Sequence, residues 1–514
     1  MTYRRSQLQW SFAVLFITLL LGVSHKAQAA EPVVYTVKFP APATHVAEVE
    51  AVFPTSKQTT IELLMPVWSP GFYRVEDYVS RIQGLSARSA TGQPLVVEQP
   101  QKNHWRITTQ GATKVIVSYQ LLCNGRSVTT NWVGEDLLVL NAAAAFIKLA
   151  DRVRRPHEIR LVLPPQWKRA MSSLDVAEVG NPNHFRAKDY DTLVDSPIVA
   201  GDLSVREFNV QGSRHQLVDA GDYKKWDGGQ GAKDLEKIVR ETQEYWGIRP
   251  FNRYVFLNVF RQGGGGLEHS NSTLLTSSPQ MTAPTLRWLS FVSHEYFHAF
   301  NVKRLRPVEL SAFDYERPPS TSSLWISEGL TTYGADLIVA RAGLCNTEEF
   351  LSVLSSNIRS LQNSPGRLKQ TLSAASLDVW SSGNSGVGRD PQNLVSYYVK
   401  GPVVGLLLDA KIQHATAGKK SLDDVMRLAY KRFSGARGFT PEQFRQTAEE
   451  VAGIDLKKPF RQWLDSTDEL DYTEALDWFG LRFAEDPQPA KAWQLSVRTD
   501  ATPQQRRHLQ AWLE

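Results

Sequence analysis

The N-terminal part of the chain has the pattern of apolar and polar residues that predicts strands. From Val33 to about Val205, β-branched and aromatic residues come in short runs that Pro, Gly, Asn and Asp interrupt. Runs of this length between turn residues are typical of β-strands. Examples are Val33–Val37, Thr60–Leu64 and Lys114–Tyr119. We therefore expect an all-β domain here, folded as a sandwich or an open sheet.

The pattern changes at about Asp222, where apolar residues begin to recur at helical spacing. Asp234–Trp246 is typical of an amphipathic helix, and Tyr254–Phe260 is typical of a strand. A glycine run, Gly263–Gly266, follows the strand. Further helices are predicted from about Pro284 to Val302, from about Leu324 to Ala342, and from about Tyr398 onward. This order predicts an α/β unit that passes into helices.

These changes of pattern divide the chain into segments. At roughly 100 to 200 residues per domain, a chain of 514 residues has room for two to four domains. We predict a leader over residues 1–29, a β domain over 30–205, a second domain over 206–470 that contains the helix 284–302, and a short extension over 471–514. Thr440–Gln443 and Thr502–Gln505 each place Pro after a Thr cap with Gln three residues after the cap, which predicts helix starts.

The leader has the features of a signal peptide. Arg4 and Arg5 precede the apolar run Phe12–Val23, and Ala27–Ala29 supplies the small residues that a signal peptidase needs. We expect cleavage before Ala30. The alternative is an uncleaved membrane anchor, but the run is shorter than the roughly 20 residues that span a bilayer. The mature protein is therefore expected to be exported without stable insertion in a membrane.

Composition narrows the class of protein further. The formal net charge is only +5 on a chain of this length, and no long run of Lys or Arg occurs, so nucleic acid is excluded as an expected partner. Cys123 and Cys345 are the two cysteines, and they lie far apart, which argues against a disulfide framework. An exported protein with so few cysteines fits a bacterial periplasm or extracellular medium. The sequence does not indicate an oligomeric state.

The candidate chemistry begins with the segment His294-Glu295-Tyr296-Phe297-His298, an H-E-x-x-H motif. Two histidines four positions apart lie on the same face of a helix, one turn from each other, and can bind one metal ion. Glu295 lies about 100° round the helix, where it can reach metal-bound water. Imidazole and carboxylate ligands suit Zn²⁺. The alternative is a half-buried helix whose histidines only form hydrogen bonds.

A catalytic zinc ion needs a third protein ligand, and Glu328 is the best candidate. It lies in the next helical pattern, where Ile326, Leu330 and Tyr333 recur at helical spacing. The local sequence leaves open whether Glu328 binds the ion or is a solvated residue on the helix surface.

Several segments together resemble a known family. They read HEYFHAFNVKRLRP from His294, LWISEGLTTYGADL from Leu324, GGGGLEHSNST from Gly263, YYVKG from Tyr397 and, more loosely, MPVWSPG from Met65. Their order resembles that of the M61 family of glycyl aminopeptidase-like metallopeptidases, which belongs to the gluzincin group. The resemblance implies a thermolysin-like catalytic domain and Glu328 as the third ligand of one zinc ion. Many members of that family end in a PDZ domain, and we expect its core to be absent here.

The resemblance also implies a substrate-binding segment around the glycine run. In the similar M1 enzymes a Gly-rich edge segment binds the substrate backbone, and its Glu holds the free α-amine. Glu268, with Gly265 and Gly266, is the matching set here. Glycines allow close backbone approach, and a carboxylate suits an ammonium group. The alternative is a surface loop that carries an incidental Glu.

Tyr398 completes the candidate site. Tyr-x-Lys-Gly resembles the M1 segment whose tyrosine stabilises the oxyanion, and Tyr397 is the rival for that role. Both tyrosines could also be packing residues. Arg304 and Arg306 follow the motif helix and either bind a substrate carboxylate or cap the C-terminus of the helix, where cations are favoured. The cap is the preferred interpretation.

The sequence thus predicts a zinc-dependent peptidase that acts on peptides. An aminopeptidase is the preferred hypothesis, and the family implies a preference for N-terminal Gly or Ala. An endopeptidase with the same zinc site is the second hypothesis. A non-catalytic peptide-binding protein with a vestigial site is the third, although the complete motif argues against it.

Overall fold

The computed structural model describes residues 30–380, 390–484 and 492–514. The predicted leader therefore lies outside the described residues. Within the described ranges, no helix combines the length and the apolar character that a membrane span requires. Cys123 and Cys345 are free thiols, the first buried and the second half-buried.

The N-terminal unit is built from three sheets. Its eight-stranded sheet has the order β14-β15-β12-β1-β2-β8-β4-β5, and two four-stranded sheets have the orders β13-β16-β10-β9 and β11-β3-β7-β6. The strands are β1 (Val33–Lys38), β2 (Val46–Pro54), β3 (Thr60–Leu64), β4 (Ile82–Ser89), β5 (Pro94–Leu95), β6 (Val97–Gln101), β7 (His104–Thr108), β8 (Lys114–Leu122), β9 (Trp132–Val133), β10 (Leu137–Leu140), β11 (Lys148–Leu149), β12 (His157–Val162), β13 (Arg169–Ser172), β14 (Asp175–Val176), β15 (His184–Ala187) and β16 (Ile198–Gly201).

One core joins these three sheets. Alternate residues of β1 and β8, such as Tyr35 and Val117, point inward and meet Ile107 of β7 and Leu138 of β10. The alternation of buried and exposed positions along a strand puts one set of side chains in this core. Two short helices complete the unit: α1 (Ala142–Ala145) and α2 (Tyr190–Val194). The predicted all-β N-terminal domain is confirmed.

The second unit begins with a five-stranded sheet of order β17-β18-β19-β21-β20. Its strands are β17 (Ser204–Val210), β18 (Ser213–Gly221), β19 (Arg253–Phe260), β20 (Gly266–Glu268) and β21 (Ser272–Ser277). β20 is the outermost strand and pairs antiparallel with β21, so its other edge carries no partner strand among the described residues.

Both faces of this sheet are buried. On β19, Val255 and Leu257 pack toward Val139 and Val199 of the N-terminal unit, whereas Tyr254 and Phe256 pack among the helices. Because successive strand residues face opposite sides, one strand contributes to two cores. The sheet therefore joins the β unit to the helical part of the molecule.

The remainder of the chain is mainly helical, as predicted. The helices are α3 (Gly228–Trp246), α4 (Leu286–Phe297), α5 (Leu330–Arg341), α6 (Thr347–Gln362), α7 (Leu372–Leu377), α8 (Tyr397–Ala415), α9 (Leu422–Phe433), α10 (Pro441–Ala452), α11 (Lys457–Leu464), α12 (Thr473–Phe479) and α13 (Pro503–Leu513). A π-helical turn, Trp325–Gly329, leads directly into α5. A hairpin of β22 (Leu481–Phe483) and β23 (Leu495–Val497) lies near the C-terminus.

The C-terminal residues pack against α5. Trp512 of α13 is buried, and its indole N–H donates to the hydroxyl of Tyr333 on α5 over 2.9 Å. Phe479 stacks on the same indole with ring centroids 4.1 Å apart. Thr502 caps α13 through the backbone N–H of Gln505, as the sequence predicts.

Two predicted helices differ from the structure in their bounds. The helix predicted over Pro284–Val302 is shorter, because α4 ends at Phe297 and Val302 has a positive φ of 84°. The helix predicted from Asp234 begins earlier, at Gly228, where Asp227 caps it through the N–H of Gln230.

A buried cluster of charges ties the two units together. Asp195 of the N-terminal unit accepts from the ammonium of Lys303 at 2.6 Å and from the backbone N–H of Ser270 at 2.9 Å. His269 lies 3.3 Å from the same carboxylate. Burial opposes ionisation of Asp195, but Lys303 and His269 outweigh it and hold the pKa of Asp195 well below its usual range. This contact fixes the position of the segment that follows β20.

Candidate metal centre and substrate cleft

The last turn of α4 brings the two motif histidines together. Thr285 caps the start of this helix by accepting from the N–H of Trp288. His294 lies in the last turn, and His298 follows the helix directly with right-handed helical angles of φ −60° and ψ −24°. The one-turn spacing is therefore preserved, and the two Nε2 atoms lie 2.9 Å apart.

The π-helical turn brings Glu328 to the same place. Its Oε2 lies 3.1 Å from Nε2 of His298 and 3.6 Å from Nε2 of His294. One ligand atom from each residue lies within 4.8 Å of the others, which is a geometry that could hold a metal ion. A buried set of two imidazoles and one carboxylate matches the three protein ligands of a catalytic zinc ion. Single π-helical turns occur frequently at functional sites.

Neighbouring groups orient both imidazoles. Nδ1 of His298 lies 3.1 Å from the carbonyl oxygen of Asn301, and Nδ1 of His294 lies 3.2 Å from the hydroxyl of Thr332. That hydroxyl donates to the carbonyl of Glu328 over 2.9 Å, so it accepts from His294. With the protons on Nδ1, the lone pairs of both Nε2 atoms face Glu328, as metal ligands require.

Tyr73 of the N-terminal unit also contacts the cluster. Its hydroxyl donates to Oε1 of Glu328 over 2.8 Å, which leaves Oε2 directed at the histidines. This residue was not predicted from the sequence. Its only local signal was its position two residues after the family-like segment that ends at Gly71.

The charges around the cluster favour a cation. Burial alone lowers the pKa of His298, but the carboxylates of Glu328, Glu268 and Glu295 outweigh burial and raise it to about 9. Burial opposes ionisation of Glu328, yet the two histidines hold its pKa well below the usual range. The carboxylates of Glu328, Glu268 and Glu295 thus make the position between the ligands favourable for positive charge, as a metal site requires.

The cluster opens into a cavity of about 390 Å³ between the two units. The wall from the N-terminal unit consists of Gly71, Phe72 and Tyr73. The remaining lining residues come from the edge strand and the helices: Gly265, Gly266, Glu268, Ser290, Phe291, His294, Glu295, His298, Glu328, Thr332, Asp336 and Tyr398. The preferred catalytic, metal-binding and substrate-binding residues of the sequence analysis all lie in this lining.

Glu268 lies at the downstream end of β20 and is only 4 % exposed. Its Oε1 has no hydrogen-bond partner among the described residues. Burial raises the pKa of Glu268, although the nearby His298 and Lys303 oppose that rise. Gly71 packs directly against this carboxyl group, because a Cβ at Gly71 would lie 2.7 Å from Cδ of Glu268. An unpartnered buried carboxyl group in a cleft is a place for a cationic group of a ligand.

Glu295 lies next to the metal cluster without bonding to it. Its Oε2 is buried and has no hydrogen-bond partner within the part of the chain that the structure describes. Burial raises its pKa well above the ordinary value, and Glu268 and Glu328 add to that rise. A carboxyl group with a raised pKa is suited to accept and return a proton at neutral pH.

The two predicted backbone-binding glycines are required by the geometry. Gly265 has φ +106°, a conformation that other residues rarely adopt. A Cβ at Gly266 would collide with the carboxyl group of Glu295 and lie 2.8 Å from Cζ of Phe291. The absence of side chains keeps the edge of β20 open to the cavity.

The structure separates the two candidate tyrosines. The ring of Tyr398 lines the cavity, 6.2 Å from the ring of His294. Tyr397 is 1 % exposed and packs against Tyr73, outside the cavity lining. Of the two, Tyr398 is therefore the one placed to reach a ligand in the cavity.

Arg304 forms hydrogen bonds to backbone carbonyls near the end of α4. Its guanidinium donates to the carbonyl of Ala299 over 2.6 Å and to that of Ser270 over 2.8 Å. It thus closes the end of α4, in agreement with the preferred cap interpretation. Neither Arg304 nor Arg306 lines the cavity.

Comparisons with known proteins agree with this geometry. A model of the peptidase M61 N-terminal domain matches residues 34–202, and a model of the M61 glycyl aminopeptidase matches residues 287–404, which together make up more than half of the chain. No match is found among curated protein sequences.

Solved structures are similar over most of the chain. An aminopeptidase N family protein from Idiomarina loihiensis is 27% identical with a TM-score of 0.82, covering 87% of this chain and 78% of that chain. An M1 zinc metallopeptidase from Deinococcus radiodurans is 14% identical with a TM-score of 0.53, covering 86% and 95%. Yeast LTA4 hydrolase in complex with bestatin is 16% identical with a TM-score of 0.52, covering 86% and 68%. The last two likenesses show the fold alone.

Proposed function

Because the chain belongs to the M61 family of peptidases, we propose that it is a zinc aminopeptidase that removes small N-terminal residues, glycine or alanine, from peptides. Family and fold make it a metallopeptidase of the M1-like architecture. A preference for glycine or alanine rests on the family description alone.

We assign one zinc ion to His294, His298 and Glu328. The distances and the burial of the donor atoms support the assignment. A zinc ion bound there supplies Lewis acidity to the scissile carbonyl and lowers the pKa of water. Thr332, Asn301 and Tyr73 hold the three ligands in the orientation that binding needs.

Glu295 is assigned as the general base. It is held beside the cluster, on the cavity wall, by the close approach of Gly266. Glu295 takes a proton from the attacking water and gives it to the amine that leaves when the peptide bond breaks. Its raised pKa suits both transfers, since the group must hold the proton briefly between them.

Tyr398 is assigned as the hydrogen-bond donor to the oxygen of the substrate carbonyl. Burial holds its pKa well above the ordinary value, so the phenol keeps its proton and can donate a hydrogen bond. A donor aimed at the oxygen where charge develops stabilises the transition state more than the ground state.

Glu268 is the residue that favours an aminopeptidase over an endopeptidase. Its unpartnered carboxyl oxygen lines the same cavity as the metal ligands, and a substrate ammonium group would complete it. Gly71 packs directly against this carboxyl group, and the same wall of the cavity continues with Phe72 and Tyr73. The buried, unpartnered carboxyl oxygen of Glu268 beside the metal ligands is the observation on which the aminopeptidase proposal rests.

The decisive experiment compares peptides with free and blocked N-termini. Zinc-loaded protein should hydrolyse Ala-Ala-Ala-amide and Gly-Ala-Ala-amide, and N-acetylation should lower kcat/KM by at least about 100-fold, as expected when a buried charge is left unpaired. Glu268→Gln should remove most of that difference by weakening only the free peptides. Equal cleavage of both forms would identify an endopeptidase. Zinc binding without hydrolysis of either form would identify a vestigial site.

We also infer export from the leader sequence. Arg4, Arg5, the apolar run Phe12–Val23 and the segment Ala27–Ala29 support it. N-terminal sequencing of protein recovered from bacterial periplasm or medium should begin at Ala30. A protein that retains Met1 and sediments with membranes would contradict cleavage.

A further inference from the structure

The cavity has two chemically different ends. At the downstream end of β20, Glu268 lies near His298 and against Gly71. At the upstream end, Gly266 lies against Glu295 and Phe291. The edge strand and α4 therefore run in the same direction along the cleft, from Gly266 and Phe291 toward Glu268 and His298.

Given the proposed function, this shared direction of β20 and α4 determines the direction in which a peptide would lie in the cleft. An α-amine on Glu268 and a scissile carbonyl at the metal cluster place the first residue between them. A peptide that pairs with the free edge of β20 then continues toward Gly266, antiparallel to the strand. Its second residue, which follows the cleaved bond, comes next to Phe291 and the upstream part of α4.

The cavity wall at that position contains Asp336. It lies on α5 one turn beyond Thr332, which contacts His294, and it faces Ser290 of α4, one turn before His294. Asp336 lines the cavity although it is only 6 % exposed. Its carboxyl group is therefore about one helical turn, or roughly 5 Å, farther along the cleft than the metal ligands.

Among the described residues, Asp336 lacks the kind of partners that the buried acids Asp195 and Asp409 have. Asp195 is paired with Lys303, and Asp409 accepts from the hydroxyl of Tyr333 and from the N–H of Leu422. For Asp336, within the described part of the chain, no cation forms an ion pair, and only the hydroxyl of Ser290 favours its charged form. Burial accordingly raises the pKa of Asp336 to about 7. A buried carboxylate without a cation is costly, so its position in a ligand cavity calls for an explanation.

We propose that Asp336 and Ser290 form the floor of a subsite for the side chain of the second residue of the peptide, and that this subsite selects a cationic side chain. A lysine or arginine side chain directed along the groove between α4 and α5 would bring its charge to Asp336. Phe291 would pack against the methylene groups of that side chain. This inference rests on the proposed function for the direction of the peptide, and it adds specificity on the leaving side of the bond.

The test uses two peptides that differ only in charge: Ala-Lys-amide and Ala-norleucine-amide. Wild-type protein loaded with zinc should show at least about tenfold higher kcat/KM for the lysine peptide. In Asp336→Asn this ratio should fall to about one, through a loss of kcat/KM for the lysine peptide. A wild-type ratio near one overturns the proposal, and so does a ratio that Asp336→Asn leaves unchanged. If Asp336→Asn does not fold, the wild-type ratio still decides.

A binding measurement separates this inference from the proposed function. Calorimetry on zinc-loaded Glu295→Gln should give at least about tenfold tighter binding of the lysine peptide than of the norleucine peptide, and Glu295→Gln with Asp336→Asn should bind both alike. Preferential binding without hydrolysis by wild-type protein would support the subsite and overturn the peptidase proposal. Hydrolysis of both peptides at equal rates, with equal binding, would overturn the subsite and leave the peptidase proposal intact.

Discussion

The hydroxyl of Tyr73 donates a 2.8 Å hydrogen bond to Oε1 of Glu328, so the N-terminal unit directly holds a candidate metal ligand of the second unit. With Oε1 occupied, Oε2 faces the two histidines. Groups that bond to metal ligands fix their orientation, and their loss typically weakens metal binding by 10–100-fold. The candidate metal centre is therefore assembled from both units of the chain.

Tyr73→Phe should lower zinc affinity by about 10–100-fold, because it removes only the hydroxyl that orients Glu328. Competition with a chromophoric chelator measures this affinity, and activity should recover at excess zinc. Tyr397→Phe is a matched control, since the hydroxyl of Tyr397 is buried without a hydrogen-bond partner in the described residues. Identical zinc affinities for the two variants would contradict the positioning role of Tyr73.

Glu295→Gln should leave zinc binding unchanged and lower kcat by about 10²–10⁴-fold, the usual contribution of a general base. Glu295 lines the cavity but does not belong to the cluster of His294, His298 and Glu328. Metal analysis of the purified variant and single-turnover kinetics on an alanyl peptide provide the two measurements. Glu328→Ala should instead lose zinc, which distinguishes a ligand from a base. Full activity of Glu295→Gln would exclude it as the base.

Gly71→Ala should raise KM for free peptides by about tenfold, because the new Cβ would push the carboxyl group of Glu268 out of place. The φ of +95° at Gly71 adds backbone strain of about 1–2 kcal/mol. Gly92→Ala is the control for strain, since Gly92 has φ +90° and a Cβ added there would meet nothing within 4 Å among the described residues. Steady-state kinetics on both variants should show an altered KM for Gly71→Ala alone.

Stability should depend on pH through His215. Its Nδ1 lies 3.0 Å from the carbonyl of Ser213 and its Nε2 lies 3.1 Å from the hydroxyl of Tyr296, which a neutral ring satisfies. Burial lowers its pKa to about 4 from an ordinary value of 6.5, although the bond to Ser213 opposes the shift. The folded state thus binds this proton less readily than the unfolded state, so the stabilisation is complete above pH 6.5 and is lost as pH falls toward 4.

Denaturant unfolding at several pH values tests this dependence. The unfolding free energy of wild type relative to His215→Gln should fall by up to about 1.4 kcal/mol per pH unit between pH 6.5 and 4. The difference should be constant above pH 7. If the unfolding free energies of wild type and His215→Gln changed in parallel with pH throughout this range, His215 would not titrate in the predicted way.

The sequence was sufficient to predict features that depend on residues close together along the chain. The one-turn spacing of His294 and His298 predicted their convergence, and the capping residues Thr440 and Thr502 predicted two helix starts. Resemblance to the family supplied Glu328 and Glu268, which local features had left open. Each of these residues lies in a segment whose own sequence carries a recognisable pattern.

The sequence was insufficient where position depends on packing between distant segments. Tyr73 is 255 positions from Glu328, and nothing in the residues around Tyr73 indicates that contact. The end of α4 was predicted too far along the chain, because apolar residues such as Phe300 and Val302 continue after the point where the helix ends. Tertiary contacts end the helix instead: the amide of Asn301 donates to the carbonyl of Ile326 over 2.8 Å. Such contacts form only when the π-helical turn packs against α4.

We expect the ion pair of Asp195 with Lys303 to couple the thermal unfolding of the two units. Separating the two units would leave an acid and an ammonium group, both mostly buried, without each other at the former contact. The apolar layer around Val139 and Val255 would be exposed to water in the same event. Neither half can then melt while its neighbour stays native, so a calorimetric trace should contain one endothermic peak for the entire molecule.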